Sequence, residues 1–154
     1  MDIVDILGPE AVIPRLKATS KKQALEDLAK HAAEITGLPE RAIFDVLLER
    51  ERLGTTGVGN GIAIPHGKLA ELDKLYGVFA RADKPIPFES IYDQPVDLIF
   101  LLLAPQNAGA DYLKALARVS RLLRDAAFCE RLRATNDAKA LHDLLVQGTA
   151  SRAA

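Results

Sequence analysis

The chain has 154 residues, with 20 basic and 21 acidic side chains, a formal net charge of −1, 49% hydrophobic and 5% aromatic residues. This is the composition of one ordinary globular domain. The near-neutral charge, sparse aromatics and absence of Trp exclude a general binder of nucleic acid or anionic membrane, and a base-stacking platform.

Residues 3–7 form a short apolar patch closed by Gly8-Pro9. Residues 11–16 read as a first strand, confined to a sheet edge by Pro14, which has no N–H for a ladder. Ser20 with Gln23 has the form of a capping box, and the helix behind it places Leu25, Leu28, Ala32 and Ile35 on one face. Gly37 stops that helix, and Pro39 is expected at the first position of the next. This second helix buries Ile43, Phe44, Leu47 and Leu48 and ends on Glu49-Arg50-Glu51-Arg52. A glycine-rich loop follows, with Gly54, Gly57, Gly59 and Gly61. Ile62-Ala63-Ile64 reads as a short buried strand whose pairing Pro65 is expected to end.

Beyond the polar residues 71–74, residues 75–82 read as a strand and Lys84-Pro85-Ile86-Pro87 as an extended connector. Residues 95–105 are bracketed by prolines and nearly continuously apolar, which suits a central strand covered on both faces. Asp111 is expected to cap a helix that turns Leu113, Leu116, Val119 and Leu123 inward. Residues 126–134 make a further short helix. Asn136 or Asp137 starts the last one, which buries Leu141, Leu144 and Leu145. The expected architecture is a single α/β domain over residues 1–147, a mixed sheet between helical layers, with a flexible C-terminal tail over 148–154. The longest apolar run, residues 96–104, contains Asp97 and is too short to span a bilayer as a helix. The N-terminus lacks the basic start of a signal peptide. A cytoplasmic protein without membrane insertion is expected.

The chemistry concentrates in residues 54–67. A Walker A loop ends in Gly-Lys-Ser/Thr at a helix N-terminus, and a Rossmann fingerprint runs from strand to helix. Here the order is helix, loop, strand, so neither nucleotide site fits. A Gly-x-Ser-x-Gly elbow is absent. Cys129 is the single cysteine, expected to be buried, so a disulfide framework is excluded and a zinc site would need mainly histidines and carboxylates. No metal and no cofactor is expected. His66 is held between Pro65 and Gly67. Gly67 is expected to keep side-chain bulk away from the ring, and the backbone of the loop, Gly57 included, to aim N–H groups at an anion. A largely neutral imidazole has a ring nitrogen ready for attack. The expectation is that His66 is a nucleophile carrying a phosphoryl group, with Arg50 as the nearest cation of phosphate-matching shape and Thr55 and Thr56 as hydroxyl donors. Lys68 reads as a surface charge, and His31 and His142 as solvated or surface residues.

Glu51, Val58-Gly59 and Ile62-Ala63-Ile64-Pro65-His66-Gly67 resemble the signature of the enzyme IIA domains of the fructose–mannitol class, in the bacterial phosphoenolpyruvate-dependent phosphotransferase system. The fuller run from Arg50 to Lys68, with Gln94-Pro95-Val96-Asp97-Leu98 and Leu101-Leu102-Leu103-Ala104-Pro105, is similar to the nitrogen-regulatory branch of that class. The resemblance implies a mixed five-stranded sheet flanked by helices. It implies phosphorylation of His66 on Nε2 by a phosphohistidine carrier called NPr, related to HPr, with Arg50 near the site. It also implies regulatory partners, among them potassium transport proteins, sensor kinases and stringent-response enzymes. Members often carry a second histidine near the start of the helix after the Leu-Leu-Leu-Ala-Pro strand. Tyr112 occupies that place here, so a hydroxyl donor replaces a group able to become a cation. Two alternatives stand beside this reading: a sugar-specific enzyme IIA that hands phosphate to a transporter's IIB domain, and a non-phosphorylated interaction domain.

Overall fold

The structure is a computed structural model that describes residues 2–89 and 94–153. Its centre is the strand Val96–Pro105, in which every residue is buried except the half-exposed Asp97. Successive strand residues point to opposite faces, so burial of nearly all of them requires cover on both sides. In chain order the elements are α1 (Ile3–Ile6), a 3-10 turn (Pro9–Ala11), β1 (Val12–Leu16), α2 (Lys21–Thr36), α3 (Glu40–Leu53), β2 (Gly57–Gly59), β3 (Ile62–Ala63), β4 (His66–Leu69), β5 (Tyr76–Ile86), β6 (Val96–Pro105), α4 (Ala110–Leu123), α5 (Ala126–Arg133) and α6 (Ala138–Ala153).

The sheet has six strands in the order β1-β5-β6-β3-β2, with β4 also paired to β6. β5 runs antiparallel to β6, while β3 and β4 run parallel to it on its other side. β1, with Pro14, lies at one edge as its proline requires. α2 and α3 pack on each other and against β5 and β4, and α4 and α6 reach β6 and β1. The mixed sheet flanked by helices is therefore as expected, with five strand tracks carrying six strands.

The extra strand comes from Pro65. Pairing was expected to stop there, but His66 lies opposite Leu102 and Gly67 opposite Leu103, in the same register that sets Ile62 opposite Leu98 and Ala63 opposite Ile99. The reason is that Pro65 lacks only a donor. Its carbonyl still accepts from the Leu102 N–H at 2.9 Å, so the ladder loses one bond and resumes. His66 is thus the first residue of a strand, held in register by the central β6.

Other boundaries differ for local reasons. β5 runs on through Lys84 and Pro85 to Ile86, which pairs with Val96 after a register shift, so the expected connector is part of the sheet. Pro39 is the N-cap of α3, with extended backbone (φ −63°, ψ 133°), one position earlier than expected. α4 is capped by Gly109, which leaves Asp111 in its first turn and Leu113 67% exposed. The inward face of α4 is carried by Tyr112, Ala115, Leu116, Val119, Leu122 and Leu123. The capping box is displaced by one residue: Ser20 Oγ accepts from the Gln23 N–H at 3.1 Å, but Gln23 reaches back to the N–H of Thr19 at 2.7 Å. Asp137 starts α6, its carboxylate accepting from the Ala140 N–H at 2.9 Å. This helix carries the backbone across the boundary expected after residue 147, while the side chains beyond Gly148 lie outside the described residues.

Candidate functional site

The glycine-rich stretch folds mainly as a hairpin. β2 and β3 are antiparallel, and the two residues between them, Asn60 and Gly61, have φ of 58° and 81°. Positive φ at both central positions is the requirement of the tightest hairpin turn, which Asn-Gly meets. The turn is tied to the central strand, because the Gly61 carbonyl accepts from the N–H groups of Asp97 and Leu98. Arg133 closes it, donating to the Asn60 carbonyl at 2.7 Å while paired with Asp97 at 2.8 Å. Most of these glycines therefore shape the backbone that delivers His66. The Gly57 N–H donates to Thr55 Oγ1 at 3.0 Å.

Gly67 has a different task from the one expected. A Cβ placed there would lie 2.4 Å from Val46 Cγ1, so the missing side chain makes room for α3 to lie against β4. Val46 and Arg50 are one turn apart on that helix, and so share its face. Gly67→Ala is expected to destabilise the fold by about 1–3 kcal/mol, the usual range for overpacking a tight contact. Val46→Ala in the same chain should restore most of the loss. Thermal melts of the three proteins check this, and an additive double variant would refute the contact.

Two side chains, Arg50 and Tyr112, meet at His66. Nδ1 lies 2.7 Å from the Ile64 carbonyl, so Nδ1–H donates and the lone pair resides on Nε2. The Nε–H of Arg50 points at that nitrogen at 3.4 Å, and Arg50 Nη1 donates to the Gly54 carbonyl at 2.9 Å. The ring of Tyr112 stands 6.0 Å from the imidazole, tilted by 59°. Lys68 Nζ sits 5.2 Å from the centre of the Tyr112 ring. Burial is the main cause that pushes the His66 pKa below its ordinary value; the bond to Ile64 opposes this, Arg50 adds to it, and Glu51 opposes it. Burial raises the Tyr112 pKa, against the pull of Arg50, so its hydroxyl stays protonated at neutral pH.

A depressed histidine pKa has a direction for stability. As pH falls, the unfolded chain binds a proton on this ring first, near its ordinary value of about 6.5, and the native ring follows only at lower pH. His66 therefore removes stability progressively below that pH, and its cost is complete once pH passes the folded value. A histidine-resolved NMR titration is expected to place the His66 midpoint below those of an unfolded reference. A midpoint above the reference would contradict the burial argument.

The hydroxyls expected to hold phosphate have partners already. Thr55 Oγ1 donates to the Phe88 carbonyl at 3.3 Å. Thr56 is buried, and both its N–H and its hydroxyl donate to Glu51 Oε1. The other carboxylate oxygen, Oε2, lies 2.8 Å from Lys21 Nζ, a close ion pair without a directed hydrogen bond. Lys21 in turn covers the ring of Phe88. This clamp joins the start of α2 to the end of α3, directly beside Arg50. The sequence signal was available, as Glu51 stands in the signature, but its partner thirty positions upstream was not. His31 and His142, expected to be solvated or at the surface, donate through Nε2 to the carbonyls of Glu10 and Leu7, pinning helices to the N-terminal segment. Cys129 is buried as expected, its thiol donating to the Leu123 carbonyl. Among the described residues there is no cluster of three or more metal-ligating side chains, and no helix long and apolar enough to cross a membrane.

Residues 5–148 match the family model described as the EIIA 2 component of the phosphoenolpyruvate-dependent sugar phosphotransferase system. The chain is 60% identical over 153 residues to a nitrogen regulatory protein of Bradyrhizobium diazoefficiens, covering 99% of this chain and 100% of that protein. It is 41% identical to the nitrogen regulatory protein of Escherichia coli K12, over 99% of this chain and 96% of the other. Its fold is similar to the crystal structure of nitrogen regulatory protein IIA-Ntr from Neisseria meningitidis, with a TM-score of 0.88, 31% identity, and coverage of 93% and 98% of the two chains.

Proposed function

The chain belongs to the EIIA 2 family of the phosphoenolpyruvate-dependent sugar phosphotransferase system, and from that premise we propose that His66 Nε2 receives and passes on a phosphoryl group. The observation that carries this is the fixed tautomer: Nδ1–H is committed to the Ile64 carbonyl, and the lone pair of Nε2 faces the Arg50 fork. In the transfer, Nε2 attacks the phosphorus of a phosphohistidine on the donor. The new N–P bond forms as the old one breaks, and the electron pair of the old bond returns to the donor imidazole. No proton need leave His66, because its one N–H is on the other nitrogen. Arg50 Nε then turns from the ring to the phosphoryl oxygens, where a guanidinium fork binds well. The Tyr112 hydroxyl is a second donor in the same space, and Thr55, Thr56, Gly57 and Gly67 support the phosphoryl group through the backbone they fix.

Phosphoryl transfer in this family makes the chain a phosphocarrier, and its relatives named as nitrogen regulatory proteins place it in the nitrogen branch. We infer that the donor is the HPr-like carrier NPr and that the protein works in the cytoplasm, as one EIIA domain over residues 1–147. The output is control of regulatory partners, whether potassium transporters, sensor kinases or stringent-response enzymes. A phosphoryl group adds about 1.5–2 negative charges to a side chain by analogy with Ser or Thr, enough to reverse which partner surface docks over His66.

Intact-mass measurement tests the reading. After incubation with phosphoenolpyruvate, enzyme I and the HPr-like carrier at alkaline pH, one acid-labile phosphate per chain is expected. An unmodified chain, with the same donor competent on a control acceptor, would overturn it.

A further inference from the structure

The charge balance around a phosphorylated His66 is incomplete with Arg50 alone. One guanidinium faces a group that brings about two negative charges, and the Tyr112 phenol beside it is neutral. Glu51, next in sequence to Arg50, is acidic but spends its charge on Lys21. The missing cation is on the same strand as the histidine. In β4 exposure alternates, with His66 and Lys68 half-exposed and Gly67 and Leu69 buried. Strand residues two apart share a face, so His66 and Lys68 stand side by side. The Tyr112 ring bridges them, 6.0 Å from the imidazole and 5.2 Å from Lys68 Nζ. An ammonium over an aromatic face is held there by the ring's quadrupole, weakly enough to leave when a phosphate offers more. Lys68 makes no salt bridge among the described residues.

We propose that Lys68 is a phosphate-binding residue of the carrier, parked on Tyr112 while His66 is free and moved onto the phosphoryl oxygens once His66 is modified. This rests on the phosphocarrier reading and deepens it. It also gives Tyr112 a use for its ring as well as its hydroxyl. Where a second histidine would donate from the helix and bear a charge only when protonated, the pair here divides the work. Tyrosine supplies the hydrogen bond and the perch, and lysine supplies the charge.

The test is an equilibrium, because docking of the donor changes rates but not the equilibrium constant. Wild type, Lys68→Met, Lys68→Arg and Tyr112→Phe are each brought to equilibrium with phosphorylated HPr-like carrier, and the phosphorylated fractions are read by intact mass. Lys68→Met is expected to shift the equilibrium about threefold towards the donor, the scale of a half-exposed charge pair, and Lys68→Arg to restore it. Tyr112→Phe keeps the perch and should leave the Lys68→Met effect intact in the double variant. Phosphorus NMR gives the second readout. The dianionic phosphoryl group of Lys68→Met should gain a proton at higher pH than that of wild type, a change that loss of packing alone would not produce. Equal equilibria and equal phosphorus titrations in wild type and Lys68→Met would overturn the assignment. Failure of wild type to take up any phosphate would instead remove the carrier reading on which it stands.

Discussion

His66→Ala is expected to take up no phosphoryl group under conditions that fully modify the wild-type chain, with its fold intact. The loss is complete rather than partial because no other imidazole in the chain is placed to substitute. His31 and His142 each donate from Nε2 to a backbone carbonyl. Neither has the arginine contact that Nε2 of His66 has. The cost to the fold should stay within about 2 kcal/mol, that of two hydrogen bonds at a half-exposed site, since the variant gives up the bond to the Ile64 carbonyl and the longer one from Arg50. Intact mass and a thermal melt on the same preparation separate the two effects. Phosphate remaining on the folded variant would assign the chemistry to another group, and a collapsed melt would make His66 a structural residue.

The parts of this molecule that could be read in the sequence are those set by neighbours in the chain. The edge position of β1 follows from Pro14 alone. The central place of β6 follows from an apolar run that leaves no face for water. The ends of α2 follow from Ser20 and from Gly37, whose φ of 77° only glycine adopts readily. The place of His66 after Pro65 singles it out in the sequence, and the fold brings Arg50 and Tyr112 to its ring. What was hidden is set by residues distant in sequence. Gly67 looks like an opening towards the ring until Val46 is seen filling it. Pro65 looks like the end of a strand until β6 supplies a partner that needs only its carbonyl. The register of α4 differs from the one expected because Gly109 rather than Asp111 caps it, which turns Leu113 to solvent and Tyr112 towards the core. Its ring does both things, packing against the core and meeting His66.

Glu51→Ala is expected to be the most damaging substitution for stability, at about 3–5 kcal/mol, the range for breaking one side of a buried ion pair. That corresponds to about 10 °C in the melting midpoint for a chain of this size. The side chains of Lys21 and Glu51 are only 16% and 3% exposed. Removing the carboxylate strands the lysine charge and leaves the N–H and hydroxyl of buried Thr56 without an acceptor. The two losses can be separated. Glu51→Gln keeps an oxygen for Thr56 and loses only the charge, so it should be the milder variant. Lys21→Met with Glu51→Gln removes both charges while keeping that oxygen, and should recover much of the stability, because a buried ion pair replaced as a whole is often nearly neutral. The consequence for function follows from position. Glu51 sits between Arg50 and the turn that leads to β2, and Arg50 also holds the Gly54 carbonyl. Loosening this corner frees the guanidinium from Nε2 of His66, so Glu51→Ala should slow phosphoryl acceptance even at temperatures where it remains folded. The double variant should regain stability and acceptance together. A Glu51→Ala protein within about 1 kcal/mol of wild type, well below the loss expected for a broken buried pair, would show that the clamp is relieved by water and does not hold the site.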